Sequence, residues 1–290
     1  MSPAVFVTAL IAVVIFGGSA IAAKVAVSTI AALDVAILRT IIGGAIALPL
    51  ALMLRIRLPV ASTQRWLLAI SGFCGFVAFP LLFTFGVMLT SANHATMVLA
   101  VLPMTTGAIA MLWDRQWPAS IWWLGCAVAF AGEIILIYEA PVASVVTSTA
   151  GDLLVLLANV FASLGYVAGA RLQRSGYSAK GTTFWGISLF ALLILPFAWF
   201  MLDFDALAVA GQIAWTGVLY QAIGVTIIAY MLWYWALGTG GIARVGLFQF
   251  LQPVSGVILA WLVLSEGISA SFAIASLLII CGVFIAFRAR

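Results

Sequence analysis

Residues 91–118 read SANHATMVLAVLPMTTGAIAMLWDRQWP, and residues 241–269 read GIARVGLFQFLQPVSGVILAWLVLSEGIS. Each is an apolar stretch long enough to cross about 30 Å of hydrocarbon at ~1.5 Å per residue. Each has a proline near its middle, Pro103 and Pro253, and an acidic residue at its end, Asp114 and Glu266. The prolines lie 253 − 103 = 150 residues apart. Sliding the chain by that offset also brings Gly132 to Gly282, Ala20 to Ala170, Ala110 to Ala260 and Leu112 to Leu262. Phe16 then meets Tyr166, and Lys24 meets Arg174.

Composition places the repeat in a membrane. Of 290 residues, 66% are hydrophobic and 7% charged, where a soluble domain has about 45–50% and about 25%. That excludes a cytosolic enzyme, a nucleic-acid binder and a secreted domain. The apolar runs, such as Ile37–Leu54 and Leu277–Phe287, are continuous, whereas a membrane β-barrel alternates apolar and polar residues. Charges, prolines and glycines punctuate ten spans, at 4–23, 33–54, 66–87, 91–113, 120–138, 152–171, 182–202, 212–236, 241–264 and 268–287. No basic residue precedes Lys24, so the first apolar run reads as a retained span.

Five spans per half is an odd number, so the second half inserts upside down relative to the first. The expected units are 1–140 and 141–290. Basic residues set the orientation. With the N-terminus inside, nine of the twelve fall on the inner side: Arg55, Arg57, Arg65, Arg115, Arg171, Arg174, Lys180, Arg288 and Arg290. Both termini are then cytoplasmic, in the bacterial inner membrane. Inverted repeats of this kind recur in secondary transporters.

The two opening blocks, together with FGGSAIAAKVAVSTIAALDVAILR at 16–39, resemble the EamA family of the drug/metabolite transporter superfamily. The resemblance covers essentially the whole chain. It implies an all-α membrane protein of two inverted five-helix repeats, usually an exporter of small metabolites. The family is known for amino-acid exporters, among them a YddG-like aromatic group. The resemblance also contributes to the expectation of a central cavity between spans one, three, four, six, eight and nine.

The polar minority inside the spans marks candidate cavity residues. Asn159, Ser163 and Tyr166 share a face of span six, and a polar stripe in a membrane helix should face the bundle or water. Phe16 stands at the position equivalent to Tyr166. Phe248, Gln252 and Ser255 form a stripe on span nine. Tyr230 and Trp233, with Thr226, form one on span eight, and Phe79 and Phe83 add aromatics on span three. His94 opens span four at the outer end. Pro103 and Pro253 read as helix kinks. Arg39 and Glu133 are ionisable residues within spans, and read as a structural ion pair. No metal cluster, phosphate loop or catalytic triad is present in the sequence. No cofactor, catalytic residue or nucleic-acid partner is expected; the partners are the bilayer and a small solute. The expected function is export of amino acids, neutral or aromatic first, by alternating access. The alternatives are a cationic-drug exporter or, from other classes, a lipid enzyme or a non-transporting scaffold.

Overall fold

The computed structural model describes residues 1–89, 98–115, 117–139, 148–264 and 270–288. His94, Glu266 and Arg290 lie outside these residues, as does the start of the expected span 91–113. The described chain is all-helical, with no strand. Among the described residues eight helices are long and apolar enough to cross a membrane. Ser120–Ile135 is a shorter apolar helix. Side chains such as Leu192, Phe197, Trp199 and Phe200 are exposed, as a lipid-facing surface requires.

The first half comprises α1 (Pro3–Ala26), α2 (Ala32–Met53), α3 (Ser62–Phe73), α4 (Phe79–Leu89), α5 (Leu102–Asp114) and α6 (Ser120–Glu139). The second comprises α7 (Thr149–Arg174), α8 (Ala179–Met201), the short α9 (Phe204–Ala208), α10 (Gln212–Leu219), α11 (Tyr230–Gly240), α12 (Ile242–Val245), α13 (Gln252–Leu264) and α14 (Ala270–Phe287). A π-helical segment, Cys74–Ala78, joins α3 to α4, and another, Tyr220–Ala229, joins α10 to α11. Shifted by 150, the first falls inside the second, so the third span of each half carries the same irregularity.

Pro103 and Pro253 sit at corresponding places too. Pro103 is in the first turn of α5, after a turn at Ala100–Val101. Pro253 is the second residue of α13, after the 3-10 segment Gly246–Leu251. Pro103 therefore sits at a helix start, the position where a missing N–H is tolerated, whereas Pro253 lies within the helical rod that runs from Ile242 through the 3-10 segment into α13.

The connections reveal the inversion. Gly211 N–H, between α9 and α10, donates to Thr29 Oγ1, between α1 and α2, at 3.3 Å. The first loop of one half thus lies beside the second loop of the other. On the opposite face the relation is reversed: Tyr177 Oη, between α7 and α8, donates to the carbonyl of Arg57, between α2 and α3, at 2.8 Å. Trp185 Nε1 reaches Ile56 O there at 3.0 Å. This second face carries Arg55, Arg57, Arg174 and Lys180, and is called the basic face below. Both chain ends approach it, because Phe248 stacks edge-on against Phe6 and Phe287.

Packing is reciprocal. α1 lies against α13 and α10, while α7 lies against α5, α3 and α4. The equivalent helices α2 and α8 pair with one another, as do α6 and α14. The last pair is bound at glycines. A Cβ at Gly282 would strike backbone atoms of Ala129 and Gly125, and one at Gly132 would come within 2.7 Å of Ala275 O. Backbone cannot move aside as a side chain can. Gly282→Val is expected to cost about 1–3 kcal/mol, read as a lowered thermal midpoint of the detergent-purified protein; an unchanged midpoint would contradict this packing.

Candidate functional site

Between the two halves lies a cavity of about 710 Å³. Its walls come from α1 (Phe16, Gly17, Ser19), α4 (Phe79, Phe83, Thr84), α5 (Leu102, Pro103), α7 (Tyr166), the α10–α11 rod (Gln221, Val225, Tyr230) and the α12–α13 rod (Gln249, Gln252, Pro253, Gly256). Arg39 on α2 and Glu133 on α6 complete it. It runs up to Val27 and Ala32, in and beside the α1–α2 connection, on the face opposite the basic one.

Toward the basic face the cavity ends on an aromatic floor. Tyr230 is the hub: its ring centroid lies 5.6 Å from Phe16, 5.7 Å from Tyr166, 4.9 Å from Phe76 and 5.7 Å from Tyr234. Trp233 packs beneath, 6.1 Å from Phe16 and 6.0 Å from Tyr166, and is fully buried. Tyr234 fits because Gly169 presents no side chain to its ring, and it accepts the Ser71 hydroxyl at 2.8 Å. Nearer the surface Asp114 holds Arg171 in an ion pair, with Arg174 at 3.9 Å. Arg171 also lies over the Trp113 ring.

Of the residues singled out from the sequence, Phe16, Phe79, Phe83, Tyr166, Tyr230 and Gln252 line the cavity, as do Pro103, Pro253, Arg39 and Glu133. Asn159 and Ser163 do not. Asn159 Nδ2 donates to Val98 O at 2.9 Å, and its Oδ1 accepts Thr105 Oγ1 at 2.9 Å. Ser163 meets Thr105 at 2.7 Å and Thr106 at 3.1 Å. Asn159 and Ser163 of the α7 stripe are thus consumed in fastening α5 and the turn before it. Ser255 donates to Val13 O and Gln252 O, tying α13 to α1. Phe248 and Trp233 pack below the cavity, and His94 falls outside the described residues.

Arg39 and Glu133 share the cavity without forming the expected ion pair. Arg39 Nε and Nη2 both donate to Thr226 Oγ1, at 3.3 and 3.2 Å. Thr226 stands in the π-helical segment Tyr220–Ala229. Glu133 is buried, and its Oε2 has no hydrogen-bond partner. Gln249, absent from the sequence reading, is also buried in the wall with both amide atoms unpartnered. Its signal was available, since it stands three residues before Gln252 on the same helical face. Gln221, also unforeseen, is fixed by Ser19, whose carbonyl accepts its Nε2 at 2.8 Å.

Comparison with known proteins agrees with this architecture. The profile of the EamA-like transporter family matches twice, over residues 4–138 and 149–288. The uncharacterized transporter YdeK of Bacillus subtilis (strain 168) is 30% identical over 261 residues, covering 90% of this chain and 89% of that protein. The uncharacterized transporter YetK of the same organism is 27% identical over 290 residues, covering 97% and 86%. A solved crystal structure superposes with a TM-score of 0.77 at 18% identity, over 99% of this chain and 97% of that one, a likeness of fold. The chain is a multi-pass membrane protein of two repeats, and it belongs to the EamA-like transporter family.

Proposed function

We propose that the protein exports amino acids, aromatic and neutral ones first, by alternating access. The observation that carries this is the cavity between the two halves, which runs to one face and is stopped by packed rings before the other. A pore would run through; a receptor pocket would not need two inverted halves around it. Because the halves are inverted, an exchange of their conformations turns a cavity facing one side into one facing the other. The lining suits the substrate class. Phe16, Phe79 and Phe83 offer apolar surface, Gln249 and Gln252 offer amides, and one cation and one carboxyl share the space. A volume of about 710 Å³ lies within the range of small-molecule sites.

The basic face is assigned to the cytoplasm of the bacterial inner membrane, by the excess of Lys and Arg on cytoplasmic loops. The described state is then outward-facing. A green fluorescent protein fused to the C-terminus should fluoresce in intact cells, whereas alkaline phosphatase fused there should be inactive. The reverse pattern would overturn the orientation.

One observation favours a second reading, export of organic cations. Glu133 is a buried carboxyl in the cavity wall. Arg39 in the same cavity opposes a cation without an anionic group, which weighs against it. In proteoliposomes loaded with phenylalanine, counterflow of labelled phenylalanine is expected to exceed protein-free vesicles several-fold. Absence of counterflow for every amino acid would sink the substrate reading. Glu133→Gln is expected to reduce amino-acid flux about tenfold through loss of a charge-assisted contact. If wild type shows no amino-acid counterflow and Glu133→Gln abolishes export of an organic cation, the cation reading prevails.

A further inference from the structure

Resting on the transport reading above, one feature of the cavity specifies what the carried molecule must present. Arg39 lines the wall, and among the described residues its hydrogen bonds run to Thr226 Oγ1 alone. Thr226 donates its own proton to Gln221 O at 2.7 Å, so its lone pairs are left to face the guanidinium. A guanidinium has five N–H donors and stays charged; two of the five are engaged here. Among the described residues no carboxylate is within ion-pair distance of Arg39; Glu133 lines the same cavity but does not reach it. Arg171 and Arg174 pair with Asp114 near the basic face, away from Arg39. The phenols of Tyr166 and Tyr230, which line the cavity, are near enough to Arg39 to interact with it electrostatically, and Glu133 lines the same cavity.

A cation without a counter-ion is tolerable while the cavity is open to water. It becomes costly when the cavity closes and water leaves. Transport requires that closure, so the charge must be met by something that enters with the load. The fork of N–H groups matches a carboxylate in geometry, and such a pair is charge-assisted and directional. One cation balances a single negative charge.

We propose that Arg39, steadied by Thr226 and flanked by the hydroxyls of Tyr166 and Tyr230, is the carboxylate anchor of the cavity. The apolar part of the solute then lies among Phe16, Phe79 and Phe83, and the unpartnered amide of Gln249 meets its remaining polar groups. This replaces the structural ion pair with a binding role: the partner of Arg39 is the substrate.

The test uses the purified full-length protein and two probes of equal shape, 3-phenylpropionate and its neutral isostere 3-phenylpropanamide. Binding is followed by calorimetry. The acid is expected to bind wild type at least tenfold more tightly than the amide, by the strength of a charged hydrogen-bonded pair. Arg39→Gln should weaken the acid about ten- to a hundredfold and weaken the amide by a much smaller factor. Thr226→Val keeps the charge and frees the guanidinium, and should weaken the acid by a smaller factor. The proposal is overturned if wild type fails to bind the acid, if it binds acid and amide equally, or if Arg39→Gln retains acid affinity. The wild-type comparison decides the matter even if the Arg39 variant does not fold. Acid preference without amino-acid counterflow leaves the anchor standing and removes the amino-acid reading. Counterflow with no acid preference does the opposite.

Discussion

In hydrocarbon every backbone N–H and C=O must find its partner inside the protein. That constraint makes the chain helical and decides where it can be irregular. The π-helical segments, the helix start at Pro103 and the 3-10 segment before Pro253 all fall in spans that contribute to the cavity wall or floor. Side chains supply partners to carbonyls in the π segments. Thr40 Oγ1 donates to Phe76 O at 3.1 Å, Tyr230 Oη to Gly75 O at 3.4 Å, and Thr226 Oγ1 to Gln221 O at 2.7 Å. Broken helix geometry, a lined cavity and an anchored guanidinium are therefore one arrangement. Thr226 satisfies the backbone of its own segment and holds Arg39 with the same oxygen.

The floor shows how a small number of rings can stop a cavity. Each edge-to-face or tilted pair contributes about 0.5–1.5 kcal/mol beyond its buried area, and Tyr230 takes part in four. Those contacts join α1, α7, α11 and the first π segment, so they span both halves. A floor made of a few moderate contacts between helices can separate without unfolding any helix. The Asp114–Arg171 pair, which joins the ends of α5 and α7, is half-exposed and adds modestly.

Much of the fold was legible in the sequence. Long apolar runs told the membrane class, and a constant 150-residue offset told the two halves. The aromatic side of the cavity was also legible, because Phe16 stands at the repeat equivalent of Tyr166, and Phe79 and Phe83 are spaced by four residues on one helical face. The polar side was harder. Helical spacing identifies a polar face but not what lies opposite, so Asn159 and Ser163 read as cavity residues while the structure spends them on Thr105. Arg39 invited pairing with an acid. Its partner is a hydroxyl 187 residues away, in a π segment that no periodicity announces. The prolines were visible, but whether a proline bends a helix or restarts one depends on the preceding turn.

The repeat also relates the floor to the walls. By the 150-residue offset Tyr230, Trp233 and Tyr234 correspond to Pro80, Phe83 and Thr84, and Phe16 corresponds to Tyr166. The first set is packed in the floor, while Pro80, Phe83 and Thr84 line the open part of the cavity. Related positions in the two halves thus occupy unlike environments, closed in one and open in the other. Under alternating access these environments are exchanged: Phe83 would close on Tyr166 as Trp233 now closes on Phe16. The residues differ in size, so the two closures differ in strength. Two tyrosines and a tryptophan seal the basic face, against a proline, a phenylalanine and a threonine opposite. On aromatic packing alone, the proposed exchange would leave the described state, shut at the basic face, the more strongly sealed of the two.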